Sequence, residues 1–183
     1  YAELTSKRLE LLKEAIPRLT RVAVLWNPDF AGNMPGWRET QVAAKSLRLE
    51  LHSLEVRRSA DLDGAFRSAS AARAGAVITL RNPLIVVHMR EIIALAARVR
   101  LPVMYDEREF VDAGGLMAYG ANLDHLYRRL AVYVDKILKG VKPAELPVER
   151  PTKFDLVINL KTAKALGINI PQPLLLRADQ VIE

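Results

Sequence analysis

The chain has 183 residues, half of them hydrophobic and 26% charged, which suits one ordinary domain or two small lobes around a core and excludes a disordered polymer. It contains no cysteine, which excludes disulfides, thiolate zinc sites, iron–sulfur clusters and cysteine nucleophiles. The net charge of +6 is spread thinly, since the basic Arg81, Arg90, Arg98 and Arg100 give way to the acidic Asp106, Glu107, Glu109 and Asp112; with aromatics at 6%, no nucleic-acid partner is expected.

From Leu4 to Ile16 the apolar Leu4, Leu9, Leu12 and Ile16 recur among polar residues until Pro17, which predicts an amphipathic helix. The run Val22 to Trp26, bounded by Asn27-Pro28, reads as a buried strand ending in a loop. Pro35 opens a second helix, at a position where its missing N–H costs nothing. A strand around Leu49 to Val56, a helix from about Leu62 to Arg73 and a strand Ala76 to Leu80 follow. The unit then repeats, with a loop at Arg81-Asn82-Pro83, a helix Leu84 to Arg98, a strand Leu101 to Tyr105 and a short acidic helix from Asp106 to Asp112.

Gly114-Gly115 breaks the chain before a strand at Leu116 to Tyr119. Asn122 then caps a long helix whose Leu123, Leu126, Leu130, Val134, Ile137 and Leu138 form one apolar stripe, closed by Gly140. Pro143, Pro147 and Pro151 mark an extended connector. A strand at Phe154 to Ile158, a helix from Lys161 to Leu166 and a last short helix after Pro171 complete the chain. Nearly all-apolar strands alternating with helices predict an α/β fold, a parallel sheet with helices on both faces. No apolar run reaches the ~18–20 residues of a membrane span, and the start lacks a signal-peptide pattern. Opening at Tyr1, the chain is expected to be an excised or processed piece.

Catalytic signatures are missing: there is no glycine-rich dinucleotide or phosphate loop and no nucleophile elbow. His52, His88 and His125 lie in different elements, so neither a metal site nor a cofactor is expected, and the chain does not read as an enzyme. In open α/β sheets ligands sit outside the carboxyl ends of the strands. Those ends carry Asn27, Arg81, Asn82, Asp106, Glu107 and Tyr119, hydrogen-bonding groups beside aromatic walls. An arginine there suits a carboxylate and an acid suits an amine. The plainer alternatives are turn chemistry for the Asn-Pro pairs, a surface role for Arg81 and a helix cap for Asp106.

Arg21 to Pro28 (RVAVLWNP), Arg108 to Gly120 (REFVDAGGLMAYG), Lys7 to Glu14, Tyr133 to Pro147 and Pro151 to Gly167 resemble the ABC-transporter substrate-binding protein family. The similarity is to its branch of tryptophan/tyrosine-type solute receptors, which have the type I periplasmic-binding fold. That resemblance implies two lobes, with residues 1–112 in the second lobe, 113–147 as a crossover strand and helix of the first, and 148–183 returning to the second. Gly114-Gly115 and the proline connector become hinge crossings, and the family's first lobe, which precedes Leu4, is missing.

Asn27, Arg81-Asn82 and Asp106-Glu107 then fall on loops facing the interlobe cleft. Related receptors often carry Asp-Asn-Thr where this chain has Arg81-Asn82-Pro83, which leaves Asn82 as the plain match. The implied function is an extracytoplasmic or periplasmic solute-binding component, with a lipid anchor on the full-length protein as one option. It would hold a small polar or amphipathic molecule, of the amino-acid or aromatic-acid class, for an ABC permease. A ligand-sensing effector domain of the same fold is the alternative. The helix 122–139, parted from its own lobe, is expected to pair in a homodimer or domain swap.

Overall fold

The computed structural model describes residues 2–183. In chain order it contains α1 (Ala2–Ala15), β1 (Arg21–Trp26), α2 (Asn33–Ser46), β2 (Glu50–Glu55), α3 (Asp61–Ala71) and β3 (Ala76–Thr79). Then come α4 (Pro83–Val87), α5 (Met89–Arg98), β4 (Val103–Tyr105), α6 (Arg108–Asp112), β5 (Met117–Ala121) and α7 (Leu123–Leu138). The last elements are β6 (Phe154–Asn159), α8 (Leu160–Leu166), α9 (Gln172–Leu175) and β7 (Gln180–Ile182).

β1 shows why the fold is layered. Side chains alternate along a strand, so Val22, Val24 and Trp26 enter one apolar layer while Ala23 and Leu25 enter the other. All five are buried, so helices must cover both faces. Leu9 and Leu12 of α1, Ala43 of α2 and Leu174 of α9 close the first layer. Phe66 of α3, Ile92 of α5 and Phe110 of α6 close the second. At the sheet's edge this demand lapses, and β2 buries only Leu54.

The described strands form one sheet in the order β2-β1-β3-β4-β5-β6-β7. Neighbours from β2 through β5 are parallel, as expected. β6 departs from this and runs antiparallel to β5, with Ala121 opposite Phe154 and Met117 opposite Ile158. The reason is local. The chain leaves the sheet at Asn122 and returns at Lys153, whose carbonyl accepts the Asn122 N–H at 3.0 Å, so the returning strand must run back down. β5 is thus hydrogen-bonded inside the same sheet as β1–β4, and the boundary drawn at residue 113 does not coincide with an edge of that sheet. α7, by contrast, buries none of its residues.

Two further expectations are revised. The single helix read over Leu84 to Arg98 is two, because His88 (φ −98°, ψ 23°) closes α4 and opens α5. The helix expected from Asp106 starts only at Arg108, which leaves Asp106 directly on the end of β4.

Candidate functional site

The sheet order reverses between β1 and β3, which lead to neighbours on opposite sides, and the loops there meet through asparagines. Asn33, at the start of α2, takes the Asn27 N–H at 2.9 Å and the Asn82 side-chain N–H at 3.0 Å on one oxygen. Its own amide donates to the Arg81 carbonyl at 2.8 Å. Asn82 also donates to the Leu80 carbonyl and accepts the Ile85 N–H at 3.1 Å, capping α4 with Pro83 in its first turn. With Asn82 buried and all three of its bonds internal, its side chain holds the loop in shape and leaves little for a ligand. Asn27 spends its oxygen on the Asp29 N–H at 2.9 Å, an ordinary turn bond. Asn33 and Asn82 thus brace these loops from within.

The charged groups gather one strand over. Asp106 follows β4, its side chain 3% exposed. Arg81 reaches across from β3, with Nε 2.6 Å from Glu107 Oε1 and 3.6 Å from Asp106 Oδ2. Beneath them lies Arg8 of α1, itself buried, whose Nε donates to the Tyr119 carbonyl at 2.7 Å. Burial pushes the Asp106 carboxyl up to about 6, with the positive charge of Arg8 pulling the other way and Glu107 adding to the rise. The same burial lowers Arg8, whose attraction to Asp106 opposes the change. Asp106 Oδ1 is buried and has no hydrogen-bond partner among the described residues, as does Thr79 Oγ1 at the end of β3. A buried acceptor left open at a strand end can take a further donor.

Two aromatic pairs stand on β1 and β5. Trp26 stacks on Trp37 with ring centres 5.0 Å apart and 5° between planes, and its indole N–H is held by Ser53 at 2.8 Å. Tyr119 lies 6.2 Å from Phe154 in a tilted arrangement.

The structure thus brings Arg81, Asp106, Glu107 and the Tyr119 backbone together, and sets Asn27 and Asn82 in the adjoining loop network. Two members were not foreseen. Arg8 shares a helical face with the buried Thr5 and Leu12, a spacing that marks it as inward-pointing. Asn33 stands just ahead of Pro35, where the sequence drew the helix start two residues late.

The sequence pattern of the family described as ABC transporter substrate binding protein matches residues 2–182. The tyrosine-binding protein of Clostridioides difficile (strain R20291) is 22% identical over 88% of this chain. A conserved domain protein from Vibrio cholerae is 26% identical over 97% of the chain and superimposes with a TM-score of 0.87. An ABC domain from Streptococcus pneumonia in complex with L-Trp is 22% identical over 98% of the chain, with a TM-score of 0.86. The chain spans 47% of the Clostridioides protein and 60% and 62% of the two structures. These neighbours share its type I periplasmic-binding fold, and with the family pattern running almost end to end, the chain belongs to the ABC transporter substrate-binding proteins.

Proposed function

We propose that the chain forms one wall of a cleft that takes a small amphipathic amine, an amino acid of the aromatic class, for handover to an ABC permease outside the cytoplasm. The family is one of substrate-binding proteins, not of enzymes. The observation that carries the reading is Asp106, buried at the carboxyl end of β4 with one oxygen open, beside Arg8 and Arg81. An ammonium group fits that oxygen, Arg81 is within reach of a carboxylate, and an aromatic side chain suits the Trp26–Trp37 stack. Relatives named for tyrosine and L-Trp support the class.

L-tryptophan and L-tyrosine titrated against the chain, followed by NMR, are expected to shift the amides around Asp106. Asp106→Asn should weaken that binding about tenfold to a hundredfold, the scale of a charged hydrogen bond. Equal affinity in both proteins removes Asp106 from the site.

On the same reading, α7 and the connector through Pro151 are the segment offered to an opposing lobe. α7 exposes Tyr127, Leu130, Val134 and Leu138, and with the connector it lines a groove of about 990 Å³. In the chain alone we expect a second copy to cover this face. Sedimentation should then show a dimer that Leu130→Lys converts to monomer; a monomer at high concentration without the substitution contradicts it.

A further inference from the structure

Away from the strand-end group, a separate cavity of about 410 Å³ lies between α5, α8 and the loop before β5. Its body is apolar: Ile93, Ala96, Leu101, Val103, Leu116 and Leu166 line it. The charged residues on its lining are Arg100 and Lys161, and no acid joins them. Arg100 Nη2 donates to the Ala165 carbonyl at 3.1 Å, and neither cation has a carboxylate partner among the described residues.

The walls are tied in place. Thr162 Oγ1 donates to the Gly114 carbonyl at 2.9 Å, joining α8 to the loop, while the Arg100 bond joins α8 to the end of α5. At its inner end sits Tyr105, 1% exposed, stacked on Phe110 with ring centres 4.5 Å apart. Its hydroxyl makes no hydrogen bond among the described residues. Gly115 leaves room for that ring, because a Cβ there would come within 2.6 Å of it.

We propose that this cavity is a second ligand site, taking a small monoanion with an apolar body, such as a medium-chain carboxylate. The tail would lie along the apolar lining and the carboxylate between Arg100 and Lys161 at the mouth. A pocket of this size, apolar with a few converging polar groups, is the usual form of a small-molecule site. Two cations with no carboxylate partner among the described residues select the sign of the headgroup.

Octanoate titrated into the chain and followed by NMR is expected to shift the amides of Gly114, Gly115 and Ala165 to saturation. Octanamide, equal in shape but neutral, should bind about tenfold or more weakly. Ala165→Trp, a change at an exposed position on the rim, should abolish the effect without unfolding the chain. Asp106→Asn should leave octanoate binding untouched, so failure here is distinct from failure at the strand ends. Octanoate shifts that persist in Ala165→Trp, equal binding of the amide, or no saturable shift at these three residues would each overturn the proposal.

Discussion

Gly120→Ala is expected to lower the stability of the chain by about 3 kcal/mol or more, at the upper end of overpacking effects. A Cβ at this position would stand 1.8 Å from the Asp106 carbonyl oxygen and 2.9 Å from its carbonyl carbon. The obstacle is backbone, so no rotamer change relieves it. β5 is held between β4 and β6, and the Tyr105–Ala118 pairing leaves it no room to slide. The strands must part, and the bond from Arg8 to the Tyr119 carbonyl goes with them. Gly64→Ala is the control: it lies within α3 with nothing within 4 Å of the added carbon, so it should gain up to about 1 kcal/mol from helix propensity. Urea unfolding of both variants checks the contrast, and a similar loss in the two would refute the close-approach argument.

The stability of the chain should fall by about 3 kcal/mol through Asp106 as the pH rises from about 4 to above 6. In the unfolded chain this carboxyl titrates near its ordinary 3.8; in the fold, burial pushes it up to about 6. Between those values the folded state holds the extra proton, so the contribution is complete below the lower value and is lost on passing the upper one. The half-buried Asp61 and Asp63 act in the opposite sense, since hydrogen bonds from the Arg57 backbone and from Arg98 hold them below the usual carboxylate range. The quantity to measure is therefore the stability of wild type minus that of Asp106→Asn across this range. That difference should decline with rising pH and then level off. A difference that is flat from pH 4 to 7 would show that Asp106 titrates as an ordinary carboxylate.

The fold was legible because β1, β3 and β4 carry their own evidence: short apolar runs, each followed by an asparagine, arginine or aspartate where the strand must stop. The direction of β6 was not. Nothing in Phe154 to Asn159 distinguishes a parallel from an antiparallel strand, since that depends on where the chain returns to the sheet. At the site, Arg81, Asp106 and Glu107 could be found by their position after strands. For Arg8 the spacing with Thr5 and Leu12 could give its inward direction but not its role, because its partner, the Tyr119 carbonyl, lies 111 residues away and belongs to no motif. Asn82 carried two readings in the sequence, and hydrogen-bond geometry favours the architectural one: each polar atom of its amide faces the protein's own groups.

Because the excursion through α7 begins and ends on adjacent, paired residues, its two ends form the mouth of one very long hairpin loop. Segments inserted at such a point can be lengthened, traded or excised while the strands on either side keep their register. The helical arm is thus a cassette: a lineage could refit it for a different counterpart without redesigning the sheet from which it springs.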